Sequence, residues 1–71
     1  MNIEEQRIRI GQEIAELRKQ RGMTQQNVSD KAAIKRPHVT RVELGKYNFG
    51  FDTIQAIADA LDADIRIVPR Q

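Results

Sequence analysis

Residues 24–45, TQQNVSDKAAIKRPHVTRVELG, constrain this chain more than any other stretch. Thr24 is a good N-cap, and Val28 and Ala32 fall four apart behind it, so a short helix over 25–32 buries both. Ala33 and Ile34 form a turn, and Ala32 and Ala33 are small enough for two helices to pack closely. A second helix begins at Arg36 or Pro37, since proline is tolerated in a first turn whose N–H has no intrahelical partner. It runs to about Leu44 and stops at Gly45. Val39, Val42 and the aliphatic part of Glu43 face inward. Arg36, Pro37, Thr40 and Arg41 face outward, flanked by Lys35 and His38.

Two helices meeting around a brief turn are the unit whose second helix can lie in the DNA major groove. The charge distribution agrees. Net charge is only +2, but Lys31, Lys35, Arg36, Arg41 and Lys46 face one acid, Glu43, over 31–46. The rest of the chain is slightly acidic. A basic patch on such a background is the footprint expected of a phosphate-binding face. Arginine pairs with guanine edges, and threonine or proline can touch a thymine methyl. Gln25 and Gln26 bring amide donors to a helix N-terminus, a natural phosphate clamp. For Gln26, an ordinary polar first-turn role is an equal alternative. Lys46, Tyr47 and Asn48, in the loop 46–50, are placed to donate to phosphates beyond the recognition helix. Tyr47 has a second reading, with its ring packed on the core surface.

The flanking segments read as scaffold. Ile3, Ile10, Ile14 and Leu17 give a helix over 3–20 one apolar stripe. Glu4 and Glu5 in its first turn and Arg18, Lys19 and Arg21 at its end suit the helix dipole, and Gly22 supplies a left-handed stop. Ile8 lies off the stripe, either partly exposed or against a partner subunit. Gly11 costs about 1 kcal/mol relative to alanine in a helix, and close approach of another backbone would account for it. Phe51, Ile54, Ile57, Ala58 and Leu61 trace the core face of a last helix over 51–61. Asp64-Ile65-Arg66-Ile67-Val68 has β-branched alternation ended by Pro69 and reads as a strand. A lone strand needs a partner, most simply the same strand of a second molecule. A frayed tail and a short fifth helix are the alternatives.

At 71 residues the chain makes one small domain, 1–63, plus a tail, 64–71. A chain this size buries only about 60% of its unfolded surface. With no cysteine there is no disulfide and no thiolate metal site, which leaves oligomerisation as extra support. No apolar run approaches the length of a membrane span, and the N-terminus lacks a signal-peptide core, so a cytoplasmic protein is expected. His38 has no second metal-ligating neighbour. One histidine, one serine and four scattered glycines assemble neither a nucleophilic triad nor a phosphate-cradling loop, so neither catalysis nor a cofactor is expected.

Several spaced motifs resemble the Cro/C1-type (XRE) helix-turn-helix family of phage repressors and bacterial regulators. They are Ile10-x3-Ile14-x2-Leu17-Arg18, Arg21-Gly22-Met23-Thr24-Gln25, Val39-x2-Val42-Glu43-x-Gly45-Lys46, Phe51-Asp52-Thr53-Ile54 and Ile57-Ala58-x2-Leu61. They cover about residues 8–63. The tail and Ile34-Lys35 are also similar to HipB-type antitoxin repressors, whose C-terminal strand pairs between subunits. The resemblance implies an all-α, lambda-repressor-like domain of four to five short helices, with Ile65, Arg66, Ile67 and Val68 in a strand paired across a homodimer. It implies that Gln25 clamps a phosphate and that Arg36, Pro37, Thr40 and Arg41 read bases. Leu44 and Lys46 fall where family members touch the backbone. It also implies a partly buried ion pair between Arg18 and Glu43. Ala33 stands where the family usually has glycine, implying a less sharp turn, and Pro37 replaces a polar reader. The expected function is a homodimeric transcriptional regulator, most simply a repressor, on palindromic double-stranded DNA. The alternative is an antitoxin that also binds a toxin protein.

Overall fold

A computed structural model describes residues 2–70, so the outer ends of the two expected segments, at 1 and 71, lie outside the described residues. Four helices follow one another: α1 Ile3–Gln20, α2 Gln25–Ala32, α3 Arg36–Leu44 and α4 Phe51–Ala60. Their limits follow from local chemistry. Asn2 caps α1 by accepting from the Glu5 N–H at 2.8 Å. At its other end Gly22 takes φ +67°, and the N–H groups of Gly22 and Met23 close back on Lys19 and Arg18. That is a Schellman stop. Thr24 and Asn27 cap α2 reciprocally, each side chain accepting the other's backbone N–H. Gly45, at φ +70°, ends α3.

The turn between α2 and α3 is not relaxed by the missing glycine. Ala33 itself adopts the left-handed conformation, φ 57° and ψ 41°, which an L-residue holds at a cost of about 1 kcal/mol. Ser29, buried beneath the turn, holds it by donating its hydroxyl to the Ile34 carbonyl at 2.5 Å. Ala33→Gly should therefore stabilise the protein by roughly 0.5–1 kcal/mol, after allowing for the extra freedom glycine has in the unfolded chain. A higher urea midpoint with unchanged slope is the expected readout.

The core is built from Val28 of α2, Val39 and Val42 of α3, and Ile57, Ala60 and Leu61 at the end of α4. Ile14, Leu17, Met23, Ile34, Phe49 and Ile54 pack around them. Two residues of the expected apolar stripes stay outside. Ile3 is 72% exposed and Phe51 65% exposed. Both sit in the first turn of their helices, and helical side chains lean toward the N-terminus, past the end of the neighbouring helices. They line an open apolar groove together with Ile10, Tyr47, Phe49 and Ile65.

Helix α4 ends at Ala60, with Leu61 buried as its cap and Asp62 left-handed at φ 54°. Beyond it the expected strand is absent. Residues 63–70 have no regular structure, and neither a strand nor a fifth helix occurs among the described residues. The physical reason is the one that made the strand need a partner: nothing within this chain offers a ladder. Ile67 and Val68 are accordingly exposed.

Glycine explains how α1 and α3 meet. A Cβ built on Gly11 would fall 2.5 Å from the Glu43 carbonyl oxygen, and closer still to that of Val42. One on Gly45 would fall 2.6 Å from the Ile8 Cα. The close backbone approach suggested by Gly11 is therefore real, and it is made to α3.

Candidate nucleic-acid interface

Helix α3 presents Arg36, Pro37, Thr40 and Arg41 around one shallow depression. Spacings of three and four residues make Arg36 and Thr40, Pro37 and Thr40, and Pro37 and Arg41 neighbours along one side of the helix. Arg36, Pro37 and Arg41 are exposed and Thr40 is half-buried at the edge of the scaffold. Leu44, one further turn along, is also exposed. Lys35 precedes the helix as its cap residue and is exposed, as are Lys46 and Asn48 in the following loop. Four cations, Lys35, Arg36, Arg41 and Lys46, therefore lie exposed at α3 and its two ends, while exposed Asp52 and Asp59 belong to α4.

The loop 46–50 is tied to this face by rings. The Arg41 guanidinium carbon lies 4.8 Å from the centroid of the Tyr47 ring, a cation–π distance. Tyr47 in turn packs against Phe49 at 6.0 Å, and Phe49 against His38 at 5.9 Å. Tyr47 itself stays half exposed, its ring between Arg41 and Phe49. His38 is half-buried against the loop, to one side of the Arg36–Arg41 face.

Beneath the face lies a polar anchor. Arg18 of α1 grips Glu43 of α3 with two hydrogen bonds, Nε to Oε2 at 2.7 Å and Nη2 to Oε1 at 3.1 Å. Its Nη1 donates to the Met23 carbonyl at 2.9 Å. The two side chains retain only 12% and 7% exposure. Such a bidentate, charge-assisted pair holds both partners in one geometry. It joins the recognition helix to α1 and to the loop ahead of α2.

Gln25 extends the anchor to the surface. Its Nε2 donates to Glu43 Oε1 at 3.0 Å, and its Oε1 accepts from the Thr40 hydroxyl at 2.7 Å. The orientation of this amide is dictated by its neighbours: an ion-paired carboxylate only accepts, so the NH2 end must face Glu43. One N–H of Gln25 remains for another acceptor. Gln26 instead donates to Asp30 at 2.8 Å along the outside of α2. The Thr40–Gln25–Glu43 link was not foreseen from the sequence. Its members stand 15 and 18 residues apart, and no local periodicity couples such positions. The same holds for Arg21, which donates to the Leu61 carbonyl and secures the end of α4.

Comparisons with known proteins point the same way. A helix-turn-helix family model matches residues 14–68. The chain is 32% identical over 59 residues to an immunity repressor protein of Bacillus phage phi105, covering 83% of this chain and 41% of the relative. It is 37% identical over 56 residues to an HTH-type transcriptional regulator, YqaE, of Bacillus subtilis, covering 79% and 48%. The chain therefore spans less than half the length of these curated relatives. Its fold matches the crystal structure of the restriction-modification controller protein C.AhdI from Aeromonas hydrophila. That match has a TM-score of 0.77 and 32% identity, over 80% of this chain and 86% of the other. With the family model covering most of the chain and relatives and fold in agreement, the chain belongs to the Cro/C1-type helix-turn-helix family.

Proposed function

We propose that two copies of this chain bind a two-fold-symmetric operator as a transcriptional repressor. The observation that carries the reading is the exposed face of Arg36, Pro37, Thr40 and Arg41 on a helix anchored from behind by the Arg18–Glu43 pair. Each copy lays α3 in a major groove, the two entering successive groove faces about 34 Å apart. Arg36, Pro37, Thr40 and Arg41 meet base edges. Lys35, Lys46, Asn48 and the remaining N–H of Gln25 meet phosphates and set register, with Gln26, His38 and Tyr47 at the margin. The tail supplies the dimer contact, Ile65, Arg66, Ile67 and Val68 forming a strand only when a second copy provides the ladder. Repression rather than activation follows the phage repressor among the relatives.

Selection of bound duplexes from a random pool tests this. The intact chain should return a palindrome. Arg36→Ala and Arg41→Ala should each relax one base pair per half-site, a loss of about 1–3 kcal/mol of discrimination at that position. A chain ending at Ala63 should return only the half-site. Salt-sensitive binding without any selected sequence would overturn the operator reading. A palindrome from the shortened chain would overturn the role of the tail.

A further inference from the structure

We infer that α3 reads a thymine through its 5-methyl group, seated in the depression between Arg36 and Arg41; this deepens the operator reading and rests on it. The argument begins with the Thr40 hydroxyl. A hydroxyl has one proton, and here it is directed at Gln25 Oε1, 2.7 Å away. Glu43 fixes that direction. Its carboxylate is held by Arg18 and must receive the Gln25 NH2, so the Gln25 oxygen faces Thr40 and the threonine has to donate. Thr40 therefore has no proton to offer a base. What it brings to the groove is its methyl group and an oxygen that can only accept; a thymine methyl can be met only by the former.

Pro37 reinforces this chemistry. Its side chain is an apolar ring without a hydrogen-bonding atom, and it lies beside Thr40 in the same depression. The remaining walls are Arg36 and Arg41, whose aliphatic stems are apolar; the Arg41 guanidinium rests over the Tyr47 ring at the side of the depression. The result is an apolar floor walled by two arginines. Among the four bases, thymine alone offers a methyl group to the major groove, and guanine is the preferred partner of arginine. A depression of this make-up fits a thymine methyl flanked by guanines.

The test uses the full chain and the selected duplex, with each thymine replaced in turn by deoxyuridine. That replacement removes the methyl and leaves every hydrogen-bonding group of the base pair in place. One position per half-site should lose about fourfold in affinity, the value of one buried methyl-sized group. Thr40→Ser keeps the hydroxyl bonded to Gln25 but removes the methyl, and should shrink the thymine-over-uracil preference. Thr40→Val keeps a methyl, loses the hydroxyl and should retain the preference. Pro37→Ala should shrink it as Thr40→Ser does. Equal binding of thymine and uracil at every position would overturn the inference. So would a preference that disappears in Thr40→Val yet survives in Thr40→Ser, because the hydroxyl would then be the reader. The two levels fail differently. If Arg36→Ala and Arg41→Ala leave the selected sequence unchanged, the operator reading itself falls. If they relax it while uracil is neutral, only the methyl reading falls.

Discussion

Gly11→Ala should destabilise the protein by about 2–3 kcal/mol, whereas helix propensity alone would have it stabilise by about 1 kcal/mol. The sign is what makes the experiment informative. Gly11 lies within α1 and is the buried residue of that helix. A methyl there would meet the carbonyl oxygens of Val42 and Glu43, at 2.5 Å from the latter. These are backbone atoms near the end of α3, so no side chain can swing aside. The two helices must separate, and α3 carries Val39 and Val42 of the core with it. A chain of this length has only about 4–10 kcal/mol in total, on the scale of 0.05–0.15 kcal/mol per residue. The melting temperature should fall by roughly 4–8 °C for each kcal/mol lost. Gly22→Ala is the control. Gly22 has φ +67° but open space around its notional Cβ, so it should cost about 1 kcal/mol of backbone strain and no packing. An unchanged or raised stability of Gly11→Ala would mean that α1 and α3 do not meet backbone to backbone.

This contact bears on function as well as stability. The atoms that a Gly11 methyl would displace belong to Val42 and Glu43, one and two residues beyond Arg41. Moving them tilts the face that carries the arginines. Some loss of DNA affinity should therefore persist under conditions where Gly11→Ala is fully folded.

How much of this was legible in the sequence depended on distance along the chain. Features controlled within one or two turns could be read. Thr24, Gly22 and Gly45 mark helix ends by their own conformational and capping chemistry, and the helices begin and end beside them. The face bearing Arg36, Pro37, Thr40 and Arg41 follows from helical spacing alone. Features that depend on what lies opposite could not be read this way. Ile3 and Phe51 have the periodicity of core residues yet remain exposed, because periodicity names a face and not the length of the neighbour that covers it. Ala33 shows a third case. A missing glycine suggested a looser turn, but the surrounding packing and the Ser29 bond to Ile34 impose the left-handed geometry on an alanine. The tail marks the limit of a single chain, since a ladder is a property of two strands.

The Arg18–Glu43 pair carries the second large effect. Arg18→Met should cost about 3–5 kcal/mol, because it leaves the Glu43 carboxylate buried with no cation. The side chain of Glu43 is only 7% exposed, and Gln25 would be its one remaining hydrogen-bond partner among those seen here. Replacing both partners should behave differently. In Arg18→Met/Glu43→Leu no charge is stranded, and desolvating an ion pair costs nearly as much as its attraction returns. The double variant should thus recover most of the lost stability, giving a coupling energy of at least about 2 kcal/mol in a double-mutant cycle followed by urea unfolding. Additive losses would show that the pair is not coupled in solution. The double variant also separates stability from recognition. Without Glu43, the Gln25 amide loses the acceptor that fixes its orientation, and it is then free to turn its NH2 toward Thr40. The Thr40 hydroxyl would be released to donate elsewhere. A protein restored in stability but altered in sequence preference at the Thr40 position is the expected outcome. That result would place the role of the ion pair in aiming the recognition helix more than in holding the fold together.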